Sequence, residues 1–411
     1  MNDIRYWIWL GSALTPGSSQ FPALISKFGD AEAIYSASAD EYEGLGLSEH
    51  TLEALSDKST DEANEIYAYC LRNDVGIIPY DSPIYPKRLK MIDNPPVLLY
   101  FKGTFPDIDD NVCIAAVGTR TCTEYGRREA YTISYDLASG GAIIVSGLAR
   151  GIDSICHSGC LDAFGKTVAV LGCGIDVVYP SENAGLYADI MKNGAVVTEF
   201  KPGTRPFAGN FPLRNRIISG LSLGTLVIEA GDSSGSLITA RYAGKQGRDI
   251  FALPGKVGEI GSNGTNKLIK DGCKMVTDAK DILEEYEFLF PHRVIMENIK
   301  SSSSRPVVKK QRSSFLKVAE KKHPLTDIDE KASKFDGQIT RKTSDPKHEP
   351  DLSMLDETSK KVYGLLPDDR AAAPDELVCD KLGIAEIMVA ITMLEINGLI
   401  TAAPGGKYIK I

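Results

Sequence analysis

The sequence predicts an α/β fold: an extended Rossmann-like, mostly parallel sheet, with a small helical domain before it and a winged helix after it. Three observations carry this. Short β-rich runs alternate with amphipathic helical runs from Val75 to Glu285, the pattern of a parallel sheet covered by helices on both faces. Each β run of that region ends in a loop of small residues. The periodicity stops near residue 291 and resumes near residue 352 as three helical runs and a hairpin.

Residues 1–75 hold short helical runs separated by turns. Thr15-Pro16-Gly17 and Gly44-Leu45-Gly46 each precede an apolar-periodic run. The second, within GLGLSEHTLEAL, is similar to a helix-hairpin-helix, whose glycine turn can hold a DNA phosphate. No Lys or Arg lies beside either turn, which favours a packing module.

The sheet domain is expected over 76–290. Strands fall at 76–79 and 97–100, then at 112–117, 142–146, 167–171, 195–198, 225–228, 249–252 and 273–276. Helices fall at 124–139, 152–164, 183–192, 214–223, 236–246, 265–270 and 279–285. Pro212 is expected just ahead of the fourth helix, where a missing N–H costs little.

Residues 291–350 read as a disordered basic linker. Lys300 to Pro350 carries 13 Lys/Arg against 7 Asp/Glu, with SSSSR and scattered Pro. Over 351–411, helices at 355–366, 374–382 and 384–396 precede strands around the turn Pro404-Gly405-Gly406, a winged helix. Versions of that fold that read DNA put polar or basic side chains on the third helix. Here it carries Glu386 and Glu395 and no Lys or Arg, so a packing or partner role is favoured.

The chain of 411 residues is 43% hydrophobic, enough for a substantial core. Its formal charge of −9 argues against a binder whose whole surface is basic but leaves room for a local site, since distant charges are screened. Eight cysteines without a CxxC pair, and only five histidines, make a zinc site unexpected. Met1 to Arg5 is a poor start for a secretory signal, and no apolar run is long enough to span a membrane. The reading is cytoplasmic, with no metal. No cofactor is expected either: Gly172-Cys173-Gly174 lacks the third glycine of a dinucleotide fingerprint, and no GxxxxGK[ST] occurs.

Ligands of such sheets lie at the carboxyl ends of the strands. The candidate site is therefore the set of strand-end loops, with Gly118, Thr119 and Arg120, then Ser146 and Gly147, then Gly172 and Gly174. To these the stretch Glu199–Glu229 adds Asn210, Phe211, Arg214, Asn215 and Arg216. Glycine lets backbone N–H groups approach an anion, a helix start attracts one, arginine adds a planar charged fork, and Phe211 offers a face for stacking. Together they can hold a phosphate chain and one of its bases. Asp153 and Asp176 also read as helix caps or turn formers, and each arginine as a salt-bridge partner for a nearby Asp or Glu.

The motifs are specific as a set. GTR at 118, SGLARGID at 146, GCGIDVVYP at 172, FPLRNRIISGLS at 211, EAG at 229, SGSLITA at 234, LPG at 253 and GSNGTNKLIKDG at 261 occur in that order. The chain closely resembles the DNA-processing protein A family (DprA, also called Smf). The resemblance implies single-stranded DNA as ligand, a homodimer, assistance in loading RecA recombinase during natural transformation, and no enzymatic activity. Gly118 and Arg120 match the family's GSR loop, with Thr119 in place of its frequent Ser, and Phe211, Arg214 and Arg216 match its FPxRNR segment. For the dimer, Leu268-Ile269 beside a late strand offers an apolar pair that could face a two-fold partner.

Two other classes compete. Nucleotide phosphoribohydrolases of a related fold carry PGGxGTxxE. Here the matching stretch, Gly220–Ile228, has Ile228 at the glutamate position, leaving no carboxylate to stabilise an oxocarbenium ion. Glu229 is one residue late and on an alternating strand faces the other way. A pure scaffold would not need the arginines.

Overall fold

In the computed structural model, residues 3–299 and 356–410 are described, the latter without 368–369, 371, 378–382, 397–398 and 404–406. Of the linker expected over 291–350, residues 300–350 lie outside the described residues, as does the turn at 404–406, whereas 291–299 are described and belong to the sheet unit. The chain divides into two compact units, 1–303 and 304–411.

The first unit opens with helices α1 (Ile4–Ala13), α2 (Phe21–Phe28), α3 (Ala31–Ser36), α4 (Glu49–Ser56) and α5 (Asp61–Arg72). The Thr15–Gly17 turn leads to α2, and Ser48 caps α4 by accepting from Thr51 N at 3.2 Å. The groove beside Gly44 and Gly46 is lined by Asp40 and Glu43 and by no Lys or Arg, which suits packing rather than a phosphate.

Next come β1 (Gly76–Pro79), α6 (Lys87–Lys90), β2 (Leu98–Gly103), β3 (Cys113–Val117), α7 (Glu124–Ser139), β4 (Ile143–Ser146), α8 (Ile152–Asp162), β5 (Thr167–Val170), α9 (Ala184–Lys192) and β6 (Gly194–Thr198). They are followed by α10 (Asn210–Gly220), β7 (Gly224–Val227), α11 (Ser236–Lys245), β8 (Asp249–Ala252), α12 (Asn263–Lys270), β9 (Lys274–Met275) and α13 (Lys280–Glu287). The nine strands form one sheet in the order β1-β2-β6-β5-β4-β3-β7-β8-β9. Pairs from β6 to β9 are parallel, and β2 is antiparallel to both β1 and β6. The fold is thus the α/β, extended Rossmann-like sheet that the sequence predicts.

Side chains alternate between faces, as the strand period of two requires. Cys113, Ala115 and Val117 pack with Ile217 and Ile218 of α10, whereas Ile114 and Ala116 pack with Ile133 of α7 and Ile155 of α8. The helical domain has no separate core. Trp7, Leu10, Phe21 and Ile34 share one buried cluster with Ala169, Leu171 and Val196 of the sheet. The sheet unit also runs past residue 290: Val294 and Ile299 are buried against α7 and α13 neighbours Leu137 and Leu283.

The chain reverses direction across the sheet after β6. Strands β3 to β6 build outward on one side, and the connection through α10 returns to place β7 on the other side of β3. The switch point at β3 is where open α/β sheets leave a crevice.

The second unit has α14 (Glu357–Leu365), a 3-10 turn at Pro374–Leu377, α15 (Ile384–Ile396) and an antiparallel hairpin of β10 (Ile400–Ala403) with β11 (Lys407–Lys410). The expected second helix is described only over that 3-10 turn. Ile387, Ala390, Ile391 and Leu394 bury one stripe of α15, leaving Glu386 and Val389 exposed.

Candidate nucleic-acid interface

Helix α10 starts four residues earlier than expected, at Asn210, so Pro212 lies inside its first turn. That turn's N–H groups have no intrahelical acceptor, which is why proline fits. The early start turns Phe211 into a helical residue whose ring lies over the loop after β5. A Cβ on Gly172 would come within 2.9 Å of Phe211 Cδ1; glycine is required by close approach of the ring. The half-buried ring of Phe211 is flanked by Tyr179, with centroids 5.4 Å apart, and by the exposed guanidinium of Arg120 at 5.7 Å. Phe207, 48% exposed, lies in the same connection.

Arg214 also lies by the ring, 5.8 Å from its centroid, but is only 3% exposed. Its Nη1 donates to Gly147 O at 2.8 Å and to Val170 O. Its Nε donates to Asn215 Oδ1 at 3.2 Å. Burial lowers its pKa to about 10, with the Asp153 carboxylate opposing, so it stays charged at neutral pH. Asp153 accepts from Gly147 N at 3.1 Å; burial raises its pKa and Arg214 counteracts. The structure corrects the expected role: Arg214 ties the first residue of the loop after β4 to the last residue of β5 and is buried away from solvent.

Arg216 is likewise corrected. It is 2% exposed and donates from Nη2 to Glu199 Oε2 at 2.5 Å. This is the salt bridge of the alternative reading, fully buried.

The other predicted residues separate in the same way. The buried Ser146 hydroxyl donates to Ala116 O at 2.6 Å. Gly147 is buried against the Arg214 guanidinium, where a Cβ would stand 2.6 Å from Nη2. Gly174 N donates to Thr204 O at 2.9 Å. Those groups are inside the fold. Gly118 and Thr119 are half-buried, and Thr119 N donates to Glu229 O at 2.8 Å, which sets the loop that presents Arg120. Asn210 and Asn215 are half-buried on α10. Asp176 accepts from Gly203 N at 2.8 Å, which ties the loop after β5 to the connection before α10 rather than forming a local turn. Sequence reading passed over Tyr179; its signal was an aromatic before a proline in the loop after β5.

Glu229 occupies the position an anion would take at the start of α7. Its carboxylate accepts from Thr123 N at 3.1 Å and Thr123 Oγ1 at 2.9 Å, where Thr123 caps α7. A helix start favours negative charge, and here the chain supplies its own. Ile228 is buried in the core. Leu268 packs partly against the core near Ile250, Ile269 is half-buried, and both residues of the neighbouring β9 are exposed at the sheet edge. Among the described residues no cluster of three His, Cys, Asp or Glu could hold a metal, and no helix is long and apolar enough to cross a membrane.

The protein is thus an extended Rossmann-like sheet in which α10 sets an arginine-flanked aromatic ring over the strand-end loops, where no dinucleotide fingerprint occurs. The family model described as DNA recombination-mediator protein A matches residues 76–287, and the chain belongs to that family. Protein Smf of Escherichia coli is 45% identical over 213 residues, covering 52% of this chain and 57% of that one. This chain thus matches a little over half the length of that relative. Protein Smf of Synechocystis sp. is 33% identical over 331 residues, covering 80% of this chain and 78% of that one. The X-ray structure of DNA processing protein A from Streptococcus pneumoniae is similar with a TM-score of 0.61 at 33% identity, covering 69% of this chain and 99% of that chain.

Proposed function

We propose that this protein binds single-stranded DNA with little sequence choice, in the cytoplasm, and as a homodimer protects incoming strands and helps load RecA recombinase during natural transformation. The observation that carries the reading is the Phe211 ring, partly open to solvent and flanked by Arg120 and Tyr179. Every base has a π-face, so a ring accepts any sequence, and Arg120 supplies charge for the backbone. Duplex bases are stacked on each other and cannot reach such a ring. The description of the family as a recombination mediator supports the RecA step. Leu268 and Ile269 beside the exposed edge strand β9 support a two-fold contact there.

The reading is of a binding protein, not an enzyme: the nearest carboxylate to the hydrolase position, Glu229, is held on Thr123. Titration of the full chain with labelled oligothymidine and with matched duplex, near physiological salt, tests the reading. Preference for the single strand is expected, and equal binding of the two rejects it.

A further inference from the structure

Helix α10 has two working faces. Successive helical residues are 100° apart, so Phe211 and Arg214 share one face, and Leu213 and Arg216 share another, about 160° away. The first face carries the ring and its clamp. The second meets the turn between α1 and α2. Gly17 in that turn has φ +72°, and a Cβ there would stand 2.4 Å from Leu213 Cδ1 and 3.2 Å from Arg216 Nε. The helical domain therefore rests directly on the helix that bears the ring.

Glu199, which directly follows β6, ties the two together. Its Oε2 accepts from Arg216 Nη2 at 2.5 Å and from Gly17 N at 3.2 Å. The pair is almost wholly inaccessible, with side-chain exposures of 3% for Arg216 and 5% for Glu199. Arg216 Nε, Arg216 Nη1 and Glu199 Oε1 are buried without a protein partner. A buried pair with unused hydrogen-bonding groups is weak evidence of a contribution to stability. Glu199 also lines a small cavity whose walls come from both regions, with Leu14, Pro16 and Phe21 facing Pro95, Val97 and Leu98.

We infer that Glu199 is a positioning residue for the DNA site: through it, the helical domain sets the orientation of α10 and hence of the Phe211 ring. The inference rests on the single-strand reading above. It gives the helical domain a part in binding although the residues that flank the ring, Arg120, Tyr179 and Arg214, all lie outside it, and it gives the buried pair a role that a hydrophobic replacement could not fill.

The test uses the full chain, labelled oligothymidine and a salt series, with melts to confirm that each variant is folded at the titration temperature. Glu199→Ala should lower affinity by about tenfold, the loosening expected when a supporting shell is removed, without changing the slope of log K against log salt. Glu199→Gln keeps one acceptor and should fall between wild type and Glu199→Ala. Gly17→Ala, which alters no charge, should weaken binding in the same way, and the double variant should lose less than the product of the two single losses, as coupled residues do. A folded Glu199→Ala with wild-type affinity overturns the inference, and so does a changed salt slope, which would mean direct contact with phosphate. Should Glu199→Ala fail to fold, Gly17→Ala decides by the same two criteria. Arg120→Ala and Phe211→Ala in the same series separate the two failures. If they weaken binding while the Glu199 and Gly17 variants do not, only the positioning role is lost. If they also bind normally, the site itself is wrong and the inference falls with it.

Discussion

Arg120 and Arg214 approach the Phe211 ring at nearly equal distances, 5.7 and 5.8 Å, yet one lies in an outer layer and the other in an inner one. Arg120 is exposed, and its guanidinium can exchange water for phosphate oxygens without disturbing the fold. Arg214 is buried, with Nη1 on the carbonyls of Gly147 and Val170, and could reach a phosphate only by giving up those bonds. The same residue type is thus open to solvent in one layer and holds the scaffold in the other. What separates them is the number of backbone carbonyls within reach, which is a property of the tertiary fold.

Four measurements test this division into layers. The largest effect is expected in the inner layer. Arg214→Ala leaves Asp153 buried without its counter-charge and should cost about 3–5 kcal/mol of stability, read as a lower melting temperature. A variant that melts like the wild type would place Arg214 in the outer layer after all.

The second concerns pH. His157 is fully buried, and burial, with Arg214 adding to it, lowers its pKa to about 3. Thr167 Oγ1 donates to Ile144 O, so it accepts from His157 Nδ1 at 2.7 Å, which leaves the buried Nε2, without a hydrogen-bond partner, as the nitrogen a second proton would have to occupy. The unfolded chain binds a proton near pH 6.5 that the folded chain refuses, so stability should fall as pH drops from about 6.5 toward 3. The loss should be roughly 3 kcal/mol by about pH 4. Asp153, with its raised pKa, acts in the opposite sense as pH rises. The measurement is therefore the difference between wild type and His157→Gln, whose stability should depend less on pH across that window.

The third separates stacking from charge within the outer layer. Phe211→Ala should cost ~1–3 kcal/mol of binding with an unchanged salt slope. Arg120→Ala should flatten the slope by roughly 0.7, the value for one phosphate on a single strand. If both variants change the slope equally, the division between ring and cation is wrong.

The smallest effect is expected from removing the second unit, from Leu352 onward. Its α15 exposes Glu386 and Val389 among the described residues, so affinity should change by less than tenfold, or about 1.4 kcal/mol. A larger loss would give that unit a share of the site.

Much of the fold was legible in the sequence because its signals are local. Thr123 and Gly140 bound α7 at the residues expected, and the β-rich runs end close to the observed strands, with the largest difference at β2, which continues to Gly103. The start of α10 falls earlier than expected because a proline just ahead of a helix and a proline within its first turn look alike in sequence, and Pro212 is the third helical residue. The burial of Arg214 and Arg216 was hidden for a different reason. Their partners Gly147, Val170 and Glu199 are distant in sequence and meet them only once the sheet is assembled. Glu199 was visible as one end of the same stretch, but nothing local pairs it with Arg216. The glycines were read as seats for phosphate, whereas Gly147 and Gly172 make room for Arg214 and Phe211.

The return of the chain after β6 has a consequence for biosynthesis. Ile114 of β3 pairs with Gly224 of β7, and no earlier strand covers that side of β3. While the ribosome adds the residues between them, β3 keeps an unpaired, apolar edge of the kind that recruits other chains. Helix α10 and β7 emerge together and close it. The segment that carries the aromatic ring is also the one that ends the exposure, so a nascent chain acquires its ligand face and its protection from self-association in one step.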